Sequence, residues 1–325
     1  MPLERSTASP ISQFGLGLAA VGRPGYINLG RDADLPADRS VDALRAHAHQ
    51  LLDAAYARGV RYLDTARSYG GAEEFLATWL DGRPDAQDVV IGSKWGYTYT
   101  ADWRTDADVH EVKDHSVATF NRQLAQSRAL LGTRLGLYQI HSVTPDSPAL
   151  TDRALHEGLA ALATEGVTIG LSTSGPAQAA AIRTALEVTV GGEPLFGSVQ
   201  ATYNLLEPSA GPALAEAHVT GRTVIVKEAM ANGRLADRHA TGPDTSTLRE
   251  IAHEADVSCD AVALAAVAAR PWADIVLSGA ANVEQLTSNL TAADVHLDPD
   301  RLARLAESAE PAGAYWAHRS RLAWA

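Results

Sequence analysis

Short apolar runs rich in β-branched residues alternate with longer stretches of helical periodicity along most of this sequence, and that alternation restricts the fold more than any other feature. Side chains repeat every two residues in a strand and about every 3.6 in a helix, so the two kinds of segment cannot exchange roles. The runs predict strands at Gln13–Leu18, Arg61–Asp64, Val89–Trp95, Leu137–His141, Thr168–Ser172, Ser198–Tyr203, Thr223–Glu228 and Asp274–Ser278. Helices are predicted near Val41–Arg58, Ala72–Leu80, Ser116–Leu131, Thr151–Thr164, Ala177–Leu186, Ala210–Ala217, Ser246–Ala255 and Val283–Leu290. In the first of them Val41, Leu44, Ala48, Leu51 and Ala55 fall at three- and four-residue steps, Ser40 precedes as a cap and Gly59 follows as a stop. Asp260–Ala269 and Pro299–Ala309 are two further helical stretches beyond a simple repeat. Strands separated by helices are the pattern of a parallel sheet with crossover connections.

Eight such units fit a closed (β/α)8 barrel, although an open doubly wound sheet shares the local pattern. A dinucleotide-binding open sheet places GxGxxG between its first strand and helix. Here GLGLAAVGRPG is followed by roughly twenty more residues before the helix, which weighs against that alternative. The reading is one α/β barrel domain over residues 1–325, with extra helices and a C-terminal loop. Hydrophobic residues at 46% and charged residues at 20% supply a large core. A net charge of −12 repels phosphate, so neither nucleic acid nor an anionic membrane is expected as a partner. The opening MPLERSTASPISQFG has no apolar leader and no long uncharged apolar stretch follows, which points to a cytoplasmic enzyme with a small-molecule substrate. Its oligomeric state is not legible. Cys259 is the only cysteine, so no internal disulfide forms, and its setting in CDAVALAAVAAR reads as core.

In a parallel barrel the chemistry collects at the C-terminal ends of the strands. Four polar residues close apolar runs there: Asp64 in RYLDTARSYGGAEE, Lys94 in VVIGSKWGY, His141 in LYQIHS and Lys227 in TVIVKEAM. Of 27 basic residues only Lys94, Lys113 and Lys227 are lysines, and two of the three sit at strand ends, where a compact ammonium does what a guanidinium fork cannot. Tyr69 follows Asp64 by five residues. A carboxylate, an ammonium and a phenol at one barrel mouth make an acid catalyst in which Asp64 holds Lys94 and Lys94 lowers the pKa of Tyr69. Taken singly, each has a plainer reading: an ion-paired lysine, a packed loop aromatic, a core histidine bonded to a carbonyl.

Asp64, Tyr69, Lys94 and His141 in this order resemble the aldo-keto reductase family. The resemblance runs from FGLGLAAVG through DTARSYGGAEE, SKWGY, LYQIH, IGLSTSG, VQATYNLLEP and KEAMANGRL to LSGAANVEQLTSNLTA. It implies a (β/α)8 barrel and carbonyl reduction by direct hydride transfer from NAD(P)H, without a metal. Tyr69 would be the general acid, tuned by Lys94 and Asp64, with His141 orienting the substrate carbonyl. On the cofactor side it implies Gly17, Gln200 and Ser172 near the nicotinamide. Thr173 stands where asparagine is common, and Lys227 where a tyrosine often stacks on the ring. Ser278, Gly279, Gln285 and Asn289 match the adenosine-phosphate loop and its helix. That segment carries no Lys or Arg for a 2′-phosphate, so either Arg234 or a backbone helix terminus grips NADPH from elsewhere or NADH competes better than usual, and the family pattern favours NADP(H) over NAD(H).

For the substrate, Tyr26, Trp95, Tyr97, Trp103, Tyr315 and Trp316 are candidate pocket walls, suiting a mid-sized, partly apolar carbonyl compound, while Arg319 and Arg321 could meet an acidic group or simply sit in water. Three other functions compete: a nucleotide-binding regulatory subunit, a Schiff-base lyase using Lys94 or Lys227, and a redox-using enzyme of other net chemistry such as dehydrogenation or epimerisation.

Overall fold

The computed structural model describes residues 9–30 and 33–324. The N-terminal residues 1–8, part of the segment read above for a leader, lie outside it.

Eight parallel strands form the barrel: β1 (Phe14–Gly17), β2 (Tyr62–Asp64), β3 (Val90–Trp95), β4 (Leu135–Val143), β5 (Thr168–Thr173), β6 (Ser198–Thr202), β7 (Thr223–Lys227) and β8 (Ile275–Ser278). They close in the order β1–β8–β7–β6–β5–β4–β3–β2, so each strand pairs with its neighbours in sequence, as the (β/α)8 expectation requires. The helices are α1 (Val41–Ala57), α2 (Ala72–Asp81), α3 (Val117–Leu131), α4 (Arg153–Ala163), α5 (Gln178–Leu186), α6 (Gly211–Val219), α7 (Ser246–Ala255), α8 (Cys259–Ala268), α9 (Val283–Leu290), α10 (Pro299–Ala306) and α11 (Ala312–Arg319). None of the described helices is long and apolar enough to cross a membrane.

The local chemistry accounts for these boundaries. Ser40, Ser116, Asp152, Ser258, Asn282 and Asp298 each accept a backbone N–H of the first turn, satisfying a donor that the helix itself cannot. Helix α8 is apolar on every side and buried nearly throughout, Cys259 included. Some features were not anticipated. The tail expected as a loop folds as α11, because Tyr315 and Trp316 bury together on one side of it. After β3, Tyr97–Tyr99 and Glu111–Lys113 pair as an antiparallel hairpin.

The two-residue period of the strands decides what enters the barrel. Tyr62, Leu137, Ile225, Ile275 and Leu277 form an apolar cluster there. A Cβ on Gly92 would lie 2.2 Å from the Tyr62 hydroxyl, so the glycine leaves the room that the phenol fills. Two residues further along the same strands come Asp64, Lys94, Gln139 and Lys227, so the candidate polar groups share the inner face one layer above this apolar floor. Register places Asp64 beside Gly17, Gln200 beside Ser172 and Lys227 beside Thr202 at that level.

Candidate active site

Asp64 ends β2 with its carboxylate buried. One oxygen accepts from Lys94 Nζ. The other accepts from Gln200 Nε2 at 2.8 Å and lies 3.4 Å from the Tyr62 hydroxyl. Lys94 also donates to the Thr65 carbonyl at 2.9 Å and stands 5.0 Å from the centre of the Tyr69 ring. Tyr69 projects from the loop between β2 and α2 and meets the His141 ring edge-on at 5.6 Å. The four residues singled out in the sequence are therefore brought together.

Their electrostatics differ from the expectation in one respect. Lys94 does not draw Tyr69 toward neutral pH: burial first, then the Asp64 carboxylate, hold the phenol well above the usual tyrosine range. The ammonium is engaged by Asp64. His141 is held well below the usual histidine range by burial and by Lys94, Lys227 and Arg23, so its ring is a neutral imidazole. His115 Nε2 donates to the His141 carbonyl at 2.9 Å, and its Nδ1 meets Ser147 Oγ at 2.7 Å.

A cleft of about 510 Å³ opens beside these groups. Gly17, Asp64, Tyr69, Gln200 and Lys227 line its inner end, and Ser278, Gly279, Gln285 and Asn289 line the other. Gln200 Oε1 and Asn289 Oδ1 are buried and lack a hydrogen-bond partner among the described residues. Ser278 Oγ accepts from Asn289 Nδ2 at 2.9 Å, and Gln285 Oε1 accepts the Ala281 N–H at 2.9 Å, which stiffens the turn into α9. Lys227 donates to Thr202 Oγ1 at 2.8 Å, and burial pulls its ammonium down to about 8.

Other residues singled out in the sequence fall elsewhere. Ser172 is fully buried, with its Oγ accepting the Ser142 N–H at 2.8 Å, and Ser142 has φ of 55°. That bond fixes the kink carrying His141. Thr173 faces Gln178 at 3.4 Å and is also buried. Arg234 pairs with Glu310 and does not line the cleft. Of the six aromatics, Tyr26 lines the cleft and Tyr97 stands 5.1 Å from His141. The rest support structure: Trp95 packs on His115 and Phe120, Trp103 donates to the Arg39 carbonyl at 2.7 Å, Tyr315 contacts Asn204 at 3.1 Å, and Trp316 donates to Glu207 at 3.3 Å. Large aromatic faces bury well against loops and helices, so they were drawn inward.

The sequence reading passed over Arg238, which lines the cleft and is gripped bidentately by buried Asp34 at 2.6 and 2.5 Å. It also passed over Glu228, which follows Lys227 with φ of 56°, accepts from Thr202 at 2.9 Å and pairs with Arg319. That ion pair and Lys227 hold the Glu228 carboxyl down at about 2. Arg321 is exposed. A charged residue directly after an apolar strand was the available signal for Glu228. Nothing local marked Asp34 and Arg238 as partners, since 204 residues separate them.

A family model described as aldo/keto reductase family matches residues 38–310. An oxidoreductase of Mycobacterium tuberculosis is 27% identical over 287 residues, spanning 81% of each chain. An aldo-keto reductase of Strobilurus tenacellus is 25% identical over 351 residues, spanning 96% of this chain and 94% of that one. Among solved structures, an aldo-keto reductase from Bacillus halodurans in its holo form superimposes with a TM-score of 0.71 at 23% identity, covering 96% of this chain and 97% of that one. At that identity the likeness speaks to the fold.

Proposed function

The chain belongs to the aldo/keto reductase family and is an NAD(P)H-dependent oxidoreductase of carbonyl compounds, and from that premise we propose that Tyr69 is its proton donor, with Lys94, Asp64 and His141 as the supporting set. The observation that carries the reading is the buried Lys94–Asp64 pair 5.0 Å from the Tyr69 ring, at the inner end of the cleft.

The cleft fits a dinucleotide on its own polar atoms. Gln200 Oε1 suits an amide N–H of the nicotinamide carboxamide, and Asn289 Oδ1 suits the adenine amine, because both are buried acceptors in need of a donor. When bound, the dinucleotide supplies the hydride. The protein does the rest. Asp64 accepts from both Lys94 and Gln200, so it fixes the ammonium and the carboxamide reader in one plane of the barrel. Neutral His141 offers a ring N–H toward a carbonyl oxygen without adding charge. Tyr69 stays protonated through the working range and gives up its proton only as the substrate oxygen becomes an alkoxide, a far stronger base than a phenolate. Donors fixed before reaction supply much of the rate.

Among the described residues, the charges at the outer end of the cleft are one guanidinium, Arg238, and four carboxylates, Asp34, Asp237, Asp260 and Glu284. Because Asp34 already holds Arg238, this end opposes a 2′-phosphate, and NAD(H) is favoured over NADP(H), the reverse of the sequence expectation. The substrate is an aldehyde or ketone, entering beside Tyr26 and Tyr97.

Tyr69→Phe tests the central assignment. Carbonyl reduction is expected to fall by roughly 10²–10⁴-fold, with dinucleotide affinity measured by fluorescence titration unchanged. Retained activity in a folded Tyr69→Phe protein overturns it.

A further inference from the structure

In the reduction proposed above, the carbonyl carbon receives a hydride, its oxygen receives the Tyr69 proton, and the nicotinamide passes from a neutral ring to a cationic one. A fixed charge at the reacting end of the cleft therefore tells the two redox forms apart. A charge beside the pyrophosphate treats them alike, because that part of the dinucleotide does not change.

Lys227 is a cation at the reacting end. It closes β7 with Thr202 as its register partner on β6, two residues beyond Gln200, whose unpartnered Oε1 suits the nicotinamide carboxamide. It lines the cleft with Gly17, Asp64, Tyr69 and Gln200. Its charge helps to hold His141 neutral, and it stands in turn within the fields of Lys94 and Asp64. A carbonyl held by Tyr69 and His141 must meet the reacting ring at this end.

The partners of Lys227 leave its charge largely uncancelled. Nζ donates to Thr202 Oγ1, a neutral group, at 2.8 Å. Among the described residues the nearest carboxylate oxygen is Glu228 Oε1, at 3.8 Å and beyond hydrogen-bond range. That carboxylate is taken up by Arg319, whose Nε reaches both oxygens at 3.1 and 3.0 Å, and by the hydroxyl proton of Thr202 at 2.9 Å. With 15% of the lysine side chain exposed, solvent screens its field weakly.

We propose that the Lys227 ammonium selects the redox state of the dinucleotide: it disfavours the cationic ring, so the site loads NADH and releases NAD+ after reduction. Specificity of this kind is a difference of two affinities, set here by one charge. The proposal rests on the reading of the cleft as a dinucleotide site made above.

Burial pulls the Lys227 ammonium down to about 8, so its charge fades as pH rises through that value and NAD+ binding should tighten there. Charged and titratable groups face it from each neighbouring element: Tyr26 after β1, Asp64 on β2, Tyr69 after β2, Lys94 on β3, His141 on β4, Glu228 after β7 and Arg319 on α11. His141 lies well below that pH, Glu228 at about 2, and Tyr26 and Tyr69 above the usual tyrosine range, so none of these four changes charge with it. Asp64 and Lys94 hold each other.

The test is the ratio of the dissociation constants of NAD+ and NADH, from calorimetric titrations at about pH 7 and about pH 9. The two forms share pyrophosphate, riboses and adenine, so the ratio cancels whatever a substitution does to those contacts. In the wild type the ratio is expected to fall severalfold from the lower pH to the higher. Lys227→Met is expected to lower it about tenfold at the lower pH and to remove its pH dependence, whereas Lys227→Arg keeps it high at both, because a guanidinium stays charged. If Lys227→Met loosens both forms alike and leaves the ratio unchanged, the lysine is a phosphate contact and the proposal is overturned. Should that variant fail to fold, the wild-type pH series decides, and a flat ratio overturns the proposal. If neither form binds the folded wild type, the reading of the cleft fails instead.

Discussion

Glu228 shows how much a single residue can be constrained by its partners. It sits in the left-handed region with φ of 56°, where a residue with a long side chain is strained, yet two hydrogen-bonded groups hold its carboxylate there, with Lys227 Nζ 3.8 Å away. Thr202 Oγ1 donates to it at 2.9 Å, and Arg319 Nε reaches both its oxygens at 3.1 and 3.0 Å. Removing one member of a buried ion pair leaves an uncompensated charge, which costs more than the pair contributes. Arg319→Met is therefore expected to destabilise the protein by roughly 3–5 kcal/mol in denaturant melts, and Glu228→Gln added to it to restore a large part. Equal loss in the single and double variants would show that Arg319 acts through packing on Trp316, over whose ring it lies at 5.2 Å. The sequence marked Lys227 at this strand end. The residue beside it carries the heavier constraint, and only its spatial neighbours reveal that.

At the scale of elements, the cleft is bounded by two loops, one after β1 and one after β7, and they are fastened to each other. Leu29 N–H donates to the Asn232 carbonyl at 3.0 Å, and Asn232 Nδ2 donates to the Ile27 carbonyl at 3.0 Å. The Asp34–Arg238 pair closes the same junction. Asp34→Asn keeps the hydrogen-bond acceptor and removes the charge that neutralises Arg238. It is expected to tighten NADPH binding about tenfold relative to NADH, read from the ratio of the two dissociation constants in fluorescence titrations. An unchanged ratio would place the 2′ position of the bound dinucleotide out of reach of Arg238. Wild-type protein preferring NADPH would refute the charge argument itself. The sequence suggested Arg234 for this task, four residues away on the same loop. Loop conformation turns that side chain to Glu310 instead, and no periodicity governs a loop.

Over the whole molecule, acid sensitivity follows from histidines buried neutral around the site. His115 is brought down to about 4 by burial, and His141 is held below the usual range too. An unfolded chain binds protons on both from about pH 6.5 downward while the folded protein resists, so the native state loses stability as pH falls from about 6.5 toward 4. The His115 share reaches roughly 3 kcal/mol at the acid end, and His115→Gln is expected to flatten that part of the stability curve measured by chemical denaturation at successive pH values. An acid limb as steep as that of the wild type would count against the neutral buried ring. Sequence alone determined the eight strands, ten of the eleven described helices and the four residues that meet at the mouth. Strand and helix periods are local, and strand ends in a parallel barrel all point the same way. It also marked the Ser40 cap, since a cap is a bond between residues three apart. Tertiary structure decided the rest: that Lys94 is engaged by Asp64 and leaves Tyr69 high, that four of six candidate aromatics pack the scaffold, and that Arg238 meets Asp34 and Arg23 meets Ser68 and Glu111. Each of these depends on burial or on contact between distant segments, and neither quantity is set until the barrel closes.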